Sequence, residues 1–277
     1  NVKFVNTNIK VTGDNIVAFD AYNNNSYVYL DISKSNIIMD GQNVVVVNYS
    51  GYNRGQPVYL TNNNIAVNAR ENAILLNAYS ATIQIKSNNI TMNAKNALTA
   101  NLTDSTISYY NFKENTIEII ADTARVLNMI KGGTSTSYIS DNNINIKSNN
   151  PTTVFNITGS KTVYVQGNNI IVDSINKDTP VIYVDVPSSS VKNNYILAKD
   201  VCGNNAVAKT GVTISGNKPE SAHINIDYDT WIVFKENIAS FNITNDNNDR
   251  ITGNLKVIIN GEEIPITDNT IRYTPTT

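Results

Sequence analysis

Side chains able to do acid–base, metal or nucleophilic chemistry are sparse in this sequence and rarely placed together. The one stacked acidic pair is Glu114 and Asp141, at the same position of successive repeats. Two carboxylates roughly 5 Å apart would share a proton or hold a Ca²⁺ if the site were also walled in. The position is a turn, however, where solvated acids are ordinary. His223 is the only histidine and Cys202 the only cysteine. That excludes His-rich metal sites, Cys-ligated zinc and an intrachain disulfide. No nucleophile matches His223 for a triad, and Gly132-Gly133 belongs to no phosphate loop. Asn245–Asp249 is rich in oxygen donors but lacks the Gly and Glu of an EF-hand loop. No cofactor is expected. The remaining candidates are aromatic. Tyr59, Tyr138 and Tyr164 fall in one outward column, which Tyr29 joins if the preceding loop is longer by two residues. Exposed tyrosines on a rigid sheet stack on sugar rings or anchor a protein partner. Stacked only on one another, they would stabilise the sheet by ~0.2–1 kcal/mol per pair.

Composition narrows the class. The chain has 277 residues, 16% of them charged, and a net charge of −2. A strongly basic nucleic-acid-binding surface is excluded, and so is a polybasic membrane-surface segment. The longest apolar run, near Val44–Val47, is far too short to span a bilayer. Asparagine dominates with 48 residues against 16 lysines and 13 glycines. Lysine codons are equally AT-rich, so base composition does not account for the excess. Asparagine tolerates the left-handed backbone region, and it is expected to fill turns that glycine usually takes. Sequons occur at Asn24, Asn48, Asn89, Asn101, Asn156 and Asn242, no more than chance supplies.

The elements that position these residues come from a repeat. The pattern apolar–x–apolar, two residues, Asn-Asn, Ile–x–apolar recurs as Leu60 to Val67, Ile85 to Met92, Ile139 to Ile146 and Val165 to Val172. Anchored on the residue after the Asn pair, it reads Ile9, Ile37, Ile65, Ile90, Ile117, Ile144, Ile170 and Tyr195. The period is about 26 residues, with three short alternating runs in each and no helical spacing. This predicts an all-β fold, a right-handed parallel β-helix over residues 1–219 with eight or nine turns. The position two after the anchor is apolar in every copy, ending at Leu197; the position five before it ends at Ser190. Two adjacent corner columns are expected to form amide ladders, because an amide both donates and accepts. One runs through Asn63, Asn88, Asn115, Asn142, Asn168 and Asn193, and the other through Asn64, Asn89, Asn143, Asn169 and Asn194. Asn89 would then be a poor glycan acceptor.

From about Pro219 the period stops. Longer alternating segments follow, with a hairpin signal at Asn260-Gly261. Residues 220–277 are expected to form an incomplete Ig-like β-sandwich. Val257-Ile-Ile-Asn-Gly261 and Arg272-Tyr-Thr-Pro-Thr-Thr277 resemble the bacterial-type Ig-like repeats of surface adhesins. Trp231 is read as a core residue. Taken whole, an Asn-, Thr- and Tyr-rich β-helix with an Ig-like tail resembles the adhesin-like surface proteins of methanogenic archaea. That resemblance implies an extracellular, wall- or surface-associated protein. It also implies partners in a glycan or protein of another cell, and further β-helix turns and Ig-like repeats in the same parent chain. Asn1 opens inside a patterned strand and Thr277 follows one, in keeping with a piece of a larger chain.

Two functions remain open. One is a non-catalytic adhesin module. The other is a carbohydrate-active enzyme of the lyase or hydrolase kind, since such enzymes share the β-helix. The second needs acids beside a basic residue on neighbouring turns. The position three after the anchor supplies only Asp40 and Asp173, five turns and roughly 24 Å apart, too far to cooperate. The column test therefore favours an adhesin without catalytic residues.

Overall fold

The computed structural model describes residues 2–22, 28–51, 56–103, 109–131, 136–159, 162–174, 179, 181–186, 188–192 and 194–198. Beyond these it describes the backbone of separate strands between Thr210–Ser215 and Thr270–Tyr273. Every element among the described residues is a strand, and the strands stack in parallel as a β-solenoid of about six turns. One turn reads Thr82–Lys86, Asn89–Asn93, Asn96–Thr103; the next reads Tyr110–Lys113, Thr116–Ala121, Thr123–Lys131. The first strands of the turns form a nine-stranded sheet, here called the first face. The second and third faces belong to one hydrogen-bonded sheet, because Asn36–Ser50 and Asn64–Tyr79 run through the intervening corner without a break.

Alternation explains which side of each strand is inside. On the first face Leu60, Ile85, Phe112, Ile139 and Val165 stack in register and are at most 1% exposed. Met39, Val67, Met92, Ile119, Ile146 and Val172 do the same on the second. The third face bends at a pair of consecutive inward residues, as at Val46-Val47, Leu75-Leu76 and Val126-Leu127. Stacked turns thus bury one apolar column on another, which supplies the main driving force for the fold.

The turn that holds Ser188–Lys192 and Asn194–Ala198 shifts the expected register by one residue. Ile170 pairs with Ile196, not Tyr195, and Val165 pairs with Val191, not Ser190. Asn194 consequently takes the inner corner place expected for Asn193, and Ala198, not Leu197, aligns with Val172. This register continues the Val165 column with Val191 and the Ile170 column with Ile196, where the Asn-Asn-anchored one would have placed Ser190 and Tyr195. Asn193 lies outside the described residues.

Parallel pairing passes residue 219. Ser221–Ile226 pairs with Asn194–Ala198, and Thr230–Lys235 pairs with Thr210–Ser215. Antiparallel pairing joins Leu255–Ile259 to Glu262–Ile264, with Ile259 opposite Glu262 as the Asn260-Gly261 signal requires, and Phe241–Thr244 to Thr270–Tyr273. The Ig-like sandwich expected over 220–277 otherwise falls outside the described residues, as do Cys202 and the side chains of His223 and Trp231.

Candidate functional site

The corner between the first and second faces is built by a left-handed residue followed by a buried amide. Lys34, Asn62, Ser87, Glu114, Asp141 and Gly167 all have φ between 50° and 68°. Among the described residues only Asn6 and Asn62 of the left-handed positions are asparagine, so there the asparagine excess does not serve turns as expected. It serves ladders. Asn63, Asn88, Asn115, Asn142, Asn168 and Asn194 are 0–2% exposed. The Oδ1 of Asn142 accepts the backbone N–H and the Nδ2 of Asn115, both at 3.0 Å. Its Nδ2 donates to the Phe112 carbonyl at 3.0 Å and to Asn168 Oδ1 at 2.9 Å. All four amide valences are used, as a buried polar group requires. Ser35 ends this ladder, accepting the Thr7 N–H on Oγ and donating to the Ser33 carbonyl of its own turn.

The second expected column is bonded only across Asn8, Asn36 and Asn64. Asn89, Asn143 and Asn169 are exposed, so Asn89 is not withdrawn from solvent as expected. Two ladders that sequence reasoning missed lie on the third face. Asn15–Asn43–Asn72–Asn96 is one. Asp20–Asn48–Asn77–Asn101–Asn128–Asn156 is the other, at 2.8–3.2 Å per step. Each Nδ2 in the latter donates toward Asp20. A carboxylate only accepts, so it fixes that direction. The signal was present as a single Asn flanked by apolar residues 11 or 12 residues after the anchor of each turn. Three sequon asparagines, Asn48, Asn101 and Asn156, spend their Nδ2 here.

Glu114 and Asp141 do stack on adjacent turns at the left-handed corner. They point into solvent and serve neighbours: Glu114 Oε2 accepts from Ser87 Oγ at 3.0 Å, and its other oxygen lies 3.9 Å from Lys113 Nζ. Among the described residues no group of three His, Cys, Asp or Glu side chains comes together to hold a metal.

The tyrosine column is divided. Tyr59, Gln84, Asn111, Tyr138 and Tyr164 follow one another in register, so two amides separate the aromatics. Tyr29 packs edge-on against Tyr59 at 5.5 Å, although Asp31 is the register partner of Tyr59. Tyr138 and Tyr164 stack at 5.2 Å with 10° between the rings, and Tyr109 leans on Tyr138 at 6.2 Å. Burial and the neighbouring Tyr138 raise the Tyr109 pKa above the ordinary phenol value. Stacking consumes the facing sides of these rings. What Tyr138, 39% exposed, and Tyr164 offer outward is ring edges and hydroxyls. Ser190 is the register partner of Tyr164 in the next strand.

The corner between the second and third faces holds a groove of about 390 Å³ lined by Asp122, Lys147, Asn149 and Asp173 among others. It brings two acids and a lysine together across successive turns. The column test missed this because Asp122 lies two residues further along its turn than Lys147 and Asp173 do along theirs. Both carboxylates have structural tasks: Asp122 accepts from Asn149 Nδ2, and Asp173 accepts the Ser148 N–H at 2.8 Å.

No family model, curated protein or solved structure matches this chain. Among the described residues no helix is long and apolar enough to cross a membrane.

Proposed function

We propose that this protein is a non-catalytic adhesin module, extracellular and surface-associated, that binds a glycan or protein of another cell through a rigid outer face. The observation that carries the reading is the Tyr109–Tyr138–Tyr164 cluster standing on a flat sheet already fixed by its ladders. Ring edges and hydroxyls held in place lose little entropy on contact. The surface is shallow, so affinity per module is low and attachment comes from many copies. The Ig-like reading of the tail belongs to the same proposal, as a stalk that holds the solenoid away from the cell. Replacing Tyr59, Tyr138 and Tyr164 with Ser tests it on glycan and protein arrays. Loss of capture with an unchanged β-sheet spectrum is expected; capture equal to the parent's would place the site elsewhere.

The second reading, a carbohydrate-active enzyme, draws on the Asp122–Lys147–Asp173 groove. Two carboxylates are the pair that general acid and base catalysis at a glycosidic bond uses. Each carboxylate is already engaged by a structural donor, which favours the binding reading.

A further inference from the structure

The third face carries an arrangement found nowhere else among the described residues. Val17, Val45, Ile74, Leu98 and Arg125 occupy one outward column on five successive turns. The two third-face amide ladders flank it. One runs through Asn43, Asn72 and Asn96, the other through Asn48, Asn77 and Asn101. The result is an apolar floor between two amide walls, roughly 19 Å from end to end at sheet spacing. At one end it deepens into a groove of about 370 Å³ lined by Asn72, Ile74, Asn96, Leu98, Thr123 and Arg125.

Arg125 is the anomaly. It is half-buried, and its Nε donates to the Thr153 carbonyl at 3.0 Å. Burial pulls its pKa below the ordinary arginine value. Yet the ion pairs among the described residues are Arg70–Asp14, Lys95–Glu71 and Lys113–Glu114, and none involves Arg125. A partly desolvated guanidinium without a counter-ion is costly, and its fork of remaining donors matches a carboxylate.

The walls say what the rest of the ligand is. A ladder amide spends one N–H and one lone pair on its neighbours, leaving one of each for a ligand. A hydroxyl, itself donor and acceptor, complements that pair. The C–H face of a sugar ring suits the Val/Ile/Leu floor. We propose that this trough binds a linear acidic polysaccharide along the solenoid axis, with Arg125 holding a uronate carboxylate. The site is on a different face from the tyrosine cluster and does not depend on it.

The test is titration of the whole 277-residue chain with a size-defined oligogalacturonate, its methyl ester and polyglutamate. The first is expected to bind, with affinity falling as salt rises. The methyl ester, which keeps the sugar but loses the charge, should bind roughly tenfold or more weakly, and Arg125→Gln should lose about the same factor toward oligogalacturonate. Arg125→Lys should fall between, because it keeps the charge without the fork. An unchanged melting midpoint for Arg125→Lys keeps the comparison on binding. Equal binding of acid and ester, no loss in Arg125→Gln, or polyglutamate binding with the same Arg125 dependence would each overturn the proposal. Tyr138→Ser should leave this binding unchanged; if it abolishes it, the ligand lies on the first face instead.

Discussion

Removing one buried amide should cost far more than removing the exposed amide next to it. Asn142→Ala deletes four hydrogen bonds at once. The Asn115 backbone N–H loses its partner, and the Asn115 Nδ2 keeps only its bond to the Ile85 carbonyl. The Phe112 carbonyl loses the Asn142 donor, and Asn168 Oδ1 falls from two acceptor bonds to one. An orphaned buried donor costs about 1–3 kcal/mol, and the remaining half-satisfied groups cost less. The single change is therefore worth about 2–4 kcal/mol, a large part of a domain's ~5–15 kcal/mol. A water entering the vacated space would bring the value to the lower end. Asn143 is exposed, and its replacement by alanine should fall within about 0.5 kcal/mol of the parent. Guanidinium denaturation followed by far-UV circular dichroism measures both. Equal midpoints for Asn142→Ala and Asn143→Ala would refute the claim that the inner column is a dry, satisfied ladder. Combining Asn142→Ala with Asn168→Ala should cost less than the sum of the singles, since they share one bond.

The other expectations concern backbone, titration and the outer ladder. A Cβ on Gly51 would sit 2.0 Å from the Ser80 carbonyl oxygen, so Gly51→Ala should destabilise strongly by thermal melting. Gly167→Ala, whose nearest obstacle is the Asp141 carboxylate at 2.4 Å, should cost less in an Asp141→Ala background than alone. Tyr49 is buried, donates its hydroxyl to the Val28 carbonyl, and has its pKa pushed up to about 12 by burial. Because the folded pKa is raised, its contribution to stability is complete below pH ~10 and is lost as pH climbs toward 12. Tyr49→Phe should flatten that alkaline decline, read from denaturation midpoints across the range. Asn101→Ala, in the half-buried outer ladder, should cost about 0.5–1.5 kcal/mol, less than any inner-column change.

What was legible in the sequence follows from what repeats in it. Inward columns and the inner Asn ladder were readable because burial forces the same residue class at the same place on each turn. The register failed at the last of these turns because anchoring on the Asn pair ignored the apolar alternation, which aligns Val191 with Val165 and Ile196 with Ile170. The third-face ladders were equally periodic, since Asn48, Asn77, Asn101, Asn128 and Asn156 follow their anchors by 11 or 12 residues, but these asparagines stand singly among apolar residues and were passed over for the Asn pairs. The Asp122–Lys147–Asp173 groove escaped notice for a different reason. Corners bring together residues at different positions of the repeat, and no single column contains them. The tyrosine column was visible as spacing, but ring orientation is not a property of spacing. The mutual stacking of Tyr138 and Tyr164 therefore had to come from the structure.

The central claim is that the solenoid works by holding a partner on its outer faces without transforming it. The most direct measurement incubates the protein with a panel of acidic and neutral polysaccharides and follows capture and chain length together. Capture that depends on the tyrosine or Arg125 faces, with every chain recovered at its original length, is the predicted result. Shortened chains that persist in the tyrosine variant and disappear in Asp122→Asn/Asp173→Asn would contradict it.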